Sequence, residues 1–127
     1  MIETALGLRT AFTAPHRQAT KAGADVLADD GSAIEAMVAA AAAIAVVYPH
    51  MTGIGGDGFW LIKRKGEAPF GIFASGAAAG LATVDWYAAR GHEAALPTRG
   101  AEAALTVPGT IGGWKLALEL AGRRTRP

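Results

Sequence analysis

An α+β fold is expected from three features of this 127-residue sequence. An apolar run of 13 residues, Ala36 to Tyr48, follows a helix-start signal at Ser32. Two short strand-like segments, Gly58 to Arg64 and Phe70 to Ala74, flank the polar turn Lys65-Gly66-Glu67 and predict an antiparallel hairpin. Further stretches with apolar residues at helical spacing lie before and after that hairpin.

Pro15 to Asp30 reads as the first helix, with Ala19, Ala22, Val26 and Leu27 on one face, Thr13 as its cap and Gly31 as its stop. Ser32 then opens a second helix and Glu35, three residues on, completes a capping box. From Ala36 to Val47 this helix is apolar on every side, so it is expected to be covered all round inside a larger body; Pro49 marks its end. After the hairpin, Thr83 to Arg90 reads as a short helix with Asp85 in its first turn and Gly91 beyond its last. A looser segment runs through Gly100. Val107-Pro108-Gly109-Thr110 leads into a final helix with Ile111, Trp114, Leu118 and Ala121 along one stripe and Gly122 as its stop.

Composition bounds the function. With 51% hydrophobic and 18% charged residues the chain is not of the disordered class. Alanine and glycine supply much of the apolar fraction, which points to closely approaching backbones rather than a core of large side chains. Twelve basic residues against 11 acidic ones leave a net charge of +1, so no electrostatic footprint for nucleic acid is present, and Arg123, Arg124 and Arg126 read as a solvated end. The absence of cysteine excludes disulfides, thiolate metal sites and a cysteine nucleophile. The start, MIETALGLRTAF, lacks a basic segment followed by a sustained apolar run, and the run from Ala36 is shorter than the roughly 20 residues a bilayer span needs. A soluble, cytoplasmic protein with no membrane partner is expected.

The stretch 53-GIGGDG-58 raises a sharper question, since Gly53, Gly55 and Gly58 satisfy G-x-G-x-x-G. The dinucleotide fingerprint requires a strand before the loop and a helix after it, whose N-terminus faces the phosphates. Here a helix precedes and a strand follows. A phosphate-binding P-loop is excluded because no Gly-Lys-Ser/Thr follows. A helix-to-strand turn needing positive φ accounts for one or two of the glycines. Four suggest a wall of exposed main chain, packed against another element or a substrate pocket.

His16, His50 and His92 lack metal-ligand spacing and read as caps, turn residues or surface groups. Asp57 is read as tolerating a turn, and Trp60, Trp86 and Trp114 as core. Ser75, followed by Gly76, stands at a strand end, where it is either a loop hydroxyl or a substrate contact. No cofactor motif is present, no metal is expected, and no nucleophile, base and orienting group can be assembled.

Four segments, taken together, carry a family resemblance. Pro15-His16, 30-DGSAIEAMVAAAAAIAVVYPH-50, 52-TGIGGDGFWLI-62 and 106-TVPGTIGGWKLALE-119 resemble the γ-glutamyltranspeptidases and their acylase-like relatives, in order and spacing, over residues 13 to 122. The resemblance implies an N-terminal nucleophile hydrolase with a four-layer αββα sandwich, made by autocleavage of a precursor. It implies a threonine at the start of a small subunit, which attacks a γ-glutamyl amide or related acyl group with its own amino group as base. None of the ten threonines here lies in the family's Thr-Thr-His setting, so this chain resembles only the opening part of the large subunit, an incomplete domain lacking the nucleophile. Its implied partners are the rest of the large subunit, the small subunit and a small-molecule amide substrate. In the family the glycine run leads into a central strand of the sandwich, and no nucleotide is involved.

One departure stands out. After the second strand, transpeptidases carry an Arg-Glu pair whose arginine holds the substrate's α-carboxylate, whereas this chain has 72-IFASGAAAGLAT-83 with Ser75 in the arginine's place. Losing a bidentate cation points away from γ-glutamyl specificity and toward a related amidohydrolase or acylase. We therefore expect a scaffold and pocket wall of such an enzyme, with Ser75 and Gly76 as the substrate-contacting residues. The rival expectation is a small non-catalytic interaction domain built from the same helix and hairpin. The end AGRRTRP, which runs five residues past the helix stop at Gly122, resembles no finished domain edge and favours the first.

Overall fold

The computed structural model describes residues 6–122. The sequence start through Ala5 and the cluster Arg123, Arg124 and Arg126 lie outside the described residues. The chain divides into two units, one ending at Ile54 and resuming at Trp114, the other spanning Gly55–Gly113.

In the first unit, helices α1 (Arg17–Ala28) and α2 (Ala33–Val47) pack against each other. The cap of α1 is His16, not Thr13: its Nδ1 accepts from the Gln18 amide at 3.2 Å. The preference for extended backbone before Pro15 holds Ala14 out of the helix, leaving Thr13 too far upstream to reach the first turn. Ala14 is instead tied to the Thr20 hydroxyl, at 3.1 Å from its amide and 3.2 Å from its carbonyl. Gly31 does end α1, but through space rather than conformation. The left-handed residue is Asp30, with φ 59°, while the Gly31 amide donates to the Val26 carbonyl at 2.8 Å and a Cβ on Gly31 would overlap the Val26 side chain.

The capping box at the start of α2 forms as the sequence predicts, with Ser32 Oγ accepting from the Glu35 amide at 3.2 Å and Glu35 Oε2 accepting from the Ser32 amide at 2.7 Å. Small residues make the α1–α2 contact possible. Ala19, Gly23, Ala36 and Ala40 are buried, and a Cβ on Gly23 would overlap the Phe12 ring. Among the described residues α2 is covered on one side only, as expected of a helix whose full cover comes from a larger body. Met37 and Val46 are exposed, Val46 at 77%, because one neighbouring helix covers only one face of an all-apolar helix.

In the second unit, β1 (Gly58–Ile62) pairs antiparallel with β2 (Phe70–Ala74), in a register that sets Phe59 opposite Phe73 and Trp60 opposite Ile72. The first strand ends at Ile62, two residues earlier than expected, because Arg64 enters the turn and its carbonyl accepts from the Glu67 amide at 3.3 Å. Gly66, with φ 76°, takes the left-handed position that the turn requires. Alternation sorts the two faces. Ile62 and Ile72 are buried on one, while Phe59, Leu61 and Phe73 are exposed on the other, Leu61 at 84%.

Helix α3 (Val84–Ala88) is capped by Thr83, whose hydroxyl accepts from the Trp86 amide at 3.2 Å. It is closed by Gly91, with φ 84°. A short 3₁₀ turn at Ala101–Ala103 falls within the segment beyond Gly100.

Helix α4 (Thr110–Gly122) belongs in part to each unit. Its buried positions are Thr110, Gly113 and Ala117, not the predicted stripe, of which Ile111 and Leu118 are exposed. Small residues again take the packed side. Gly122, read as a stop, is the last helical residue described. Among the described residues no large side chain is fully buried, and the core is mostly alanine.

Residues 1–127 on their own are accordingly expected to bind a dye for apolar surface strongly and to melt without a sharp cooperative transition. Low dye binding together with a sharp, monomeric calorimetric transition would contradict this.

Candidate functional site

Ser75 and Gly76 lie where β2 gives way to a second, irregular pairing. Beyond them the Val107 amide donates to the Ala77 carbonyl at 2.9 Å and the Ala79 amide to the Leu105 carbonyl at 3.0 Å, with Ala78 bridged to Thr106. Two glycines let these backbones meet. A Cβ on Gly76 would overlap the Val107 carbonyl oxygen, and one on Gly109 would overlap the Ala74 carbonyl and stand 3.1 Å from the Gly76 nitrogen. Gly113 is equally confined, its Cβ position being 2.6 Å from that of Ala74. Ser75 is half-buried in this junction, and its hydroxyl makes no hydrogen bond among the described residues.

The glycine loop joins the same junction at one atom. The Gly56 carbonyl accepts from the Gly109 amide and the Thr110 amide, each at 3.0 Å, and from the Thr110 hydroxyl at 2.8 Å. The helix terminus beside the loop therefore spends these two amides on protein, and neither is free to cradle a phosphate. Gly58 leads straight into β1, as the sequence order requires.

The positive φ expected for one or two of these glycines is absent. The glycines with positive φ are Gly66, Gly91 and Gly100. Gly58 is needed for closeness, its Cβ position lying 3.4 Å from the Thr110 Cα, whereas Gly53, Gly55 and Gly56 face open space. What the loop presents is exposed main chain.

A second cluster lies outside the motifs of the sequence. His92 Nε2 lies 2.8 Å from Glu102 Oε2, and Arg90 Nε lies 3.6 Å from Glu102 Oε1. The Tyr87 hydroxyl donates to the Glu102 carbonyl at 2.8 Å. The Arg90 guanidinium sits over the Trp86 ring, 3.6 Å from its centroid. Two open cavities of about 400 and 320 Å³ share Ala82 and Tyr87 in their walls. The spacing of Trp86 and Arg90 carried a local signal for their stacking; the His92–Glu102 pair, formed across a loop, carried none.

Of the other histidines, His16 is the α1 cap, and His50 is exposed with its ring edge-on to Tyr48 at 4.3 Å. Asp57 is exposed, and Trp60, Trp86 and Trp114 are half-buried. Among the described residues no group of three or more histidine, aspartate or glutamate side chains is placed to hold a metal, and no helix is long and apolar enough to cross a membrane.

The sequence profile of γ-glutamyltranspeptidases covers residues 19–125. The chain belongs to that family.

It is 58% identical over 107 residues to the oxamate amidohydrolase proenzyme of Klebsiella pneumoniae subsp. pneumoniae, a match covering 84% of this chain and 20% of that protein. It is 38% identical over 124 residues to the glutathione hydrolase-like YwrD proenzyme of Bacillus subtilis, covering 97% of this chain and 23% of that one. Among solved structures, the γ-glutamyltranspeptidase of Helicobacter pylori superposes with a TM-score of 0.75 at 30% identity, over 94% of this chain and 34% of that one. The chain thus spans about a fifth of the length of these curated relatives. These relatives of the γ-glutamyltranspeptidase family are hydrolases, and the α-helices and antiparallel hairpin seen here agree with an α+β member.

Proposed function

We propose that this chain forms the scaffold and one substrate wall of a γ-glutamyltranspeptidase-family amide hydrolase that prefers a small donor, with oxamate as the best candidate. The observation that carries this is Ser75: a short neutral hydroxyl, unengaged among the described residues, at the position where transpeptidases resemble one another in carrying an arginine. The high identity to an oxamate amidohydrolase supports the same choice. A hydroxyl and the neighbouring Gly76 main chain hydrogen-bond an oxygen of a compact substrate, but they do not supply the charged fork that suits an amino acid's α-carboxylate.

In this proposal the nucleophile is a threonine at the start of a small subunit, outside this chain. Its hydroxyl adds to the amide carbonyl, the amine leaves as ammonia, and water releases the acyl group as a carboxylate, so that oxamate and water give oxalate and ammonium. The rest of the large subunit and the small subunit supply the remaining layers of an αββα sandwich. They cover the exposed face of Phe59, Leu61 and Phe73 and the uncovered side of α2.

Removing the hydroxyl tests the wall. In the full-length enzyme Ser75→Ala is expected to raise KM for oxamate roughly three- to tenfold with kcat little changed, the effect of one neutral hydrogen bond. An unchanged KM would remove Ser75 from the substrate wall.

A further inference from the structure

We propose that Thr110 is a positioning residue: its buried hydroxyl clamps the Gly56 carbonyl and thereby sets the exposed main chain at Gly55 and Gly56 against the Ser75–Gly76 wall. This rests on the substrate wall described above. Thr110 is 6% exposed, the buried polar side chain among the described residues, and its hydroxyl reaches a carbonyl 54 positions away at 2.8 Å.

That carbonyl already holds the amides of Gly109 and Thr110, so three donors converge on an oxygen with two lone pairs. Such saturation leaves the peptide plane at Gly56 one orientation. The same turn is seated against β2, since Gly109 has room only for a hydrogen where it faces the Ala74 carbonyl and the Gly76 nitrogen. One turn, Val107 to Thr110, therefore fastens two backbone segments that are distant in sequence. The two amides alone would hold the turn. The hydroxyl adds a third tether whose direction follows the side chain's rotamer, which is the property a positioning group needs.

Replacing Thr110 by valine puts a methyl group in the place of the hydroxyl, so the side chain must turn slightly away from the Gly56 carbonyl, but Gly56 keeps both amide donors and no buried acceptor is orphaned. In the full-length enzyme, Thr110→Val is expected to raise KM for oxamate about fivefold with kcat within about twofold, and Thr110→Ser to restore KM. If the valine variant is insoluble, Thr110→Ala removes the hydroxyl with less bulk and serves in its place.

A double-mutant cycle with Ser75→Ala separates positioning from general stability: the combined KM rise is expected to fall short of the product of the single effects. A Thr110 variant that lowers the yield of folded enzyme while leaving KM unchanged overturns the proposal, as does a fully multiplicative cycle. Should Ser75→Ala shift KM and Thr110→Val not, the clamp fails and the wall stands. Should neither shift it, the wall itself is wrong and the clamp falls with it.

Discussion

Gly76→Ala is expected to destabilise the protein by about 3 kcal/mol or more, at the upper end of what forced overpacking costs. The added methyl group would occupy the position of the Val107 carbonyl oxygen, and the Val107 Cα lies only 3.0 Å from it. Neither partner is a flexible side chain that can swing aside. Relief requires the Ala77–Val107 and Ala79–Leu105 hydrogen bonds to part, and those bonds hold the chain beyond β2 in place. Gly55→Ala is the matched control. Its Cβ position meets nothing and its φ is not positive, so that substitution is expected to lie within about 0.5 kcal/mol of neutral. Denaturant midpoints of the two full-length variants decide the matter, and equal midpoints would mean that the close approach at Gly76 relaxes freely.

Ser75→Arg is expected to shift donor preference in the full-length enzyme toward γ-glutamyl amides by roughly one to two decades. A charge-assisted hydrogen bond to a carboxylate contributes about 1.5–3 kcal/mol, and about 1.4 kcal/mol is a factor of ten. Ser75 is half-buried rather than enclosed, and Ala77 beyond it is exposed, so a longer side chain has an exit from the junction. The comparison is kcat/KM for a γ-glutamyl anilide and for oxamate in both enzymes. Because oxamate has a carboxylate of its own, a gain confined to oxamate would place position 75 beside the compact donor's carboxylate and not beside the α-carboxylate of a γ-glutamyl donor.

Local signals in the sequence specify the local elements. The Ser32–Glu35 capping box and the Lys65-Gly66-Glu67 turn are complete within a few residues, so propensity and hydrogen-bonding chemistry specify them without the rest of the fold. The family resemblance located Ser75 and Gly76, which the structure sets at one backbone junction. What escaped were choices made by partners far along the chain. Gly76 and Gly55 look alike in sequence, and only the approach of Val107 makes one of them indispensable. The buried side of α4 went to Thr110, Gly113 and Ala117 because close backbone contact favours small residues, whereas periodicity pointed to the larger Ile111 and Leu118. In sequence Thr110 is part of a helix entry, and its bond to Gly56 depends on a chain reversal that no local pattern encodes. His92 and Glu102, likewise, are joined by a loop whose course no local pattern encodes.

The preference of the full-length enzyme for one donor over another bears most directly on the proposed role of Ser75. Its kcat/KM should be determined for oxamate and for a γ-glutamyl anilide under the same conditions. Without a cation at position 75, oxamate is expected to be preferred by about tenfold or more. A strong preference for the γ-glutamyl donor, left unchanged by Ser75→Ala, would contradict the account and place the carboxylate anchor elsewhere in the protein.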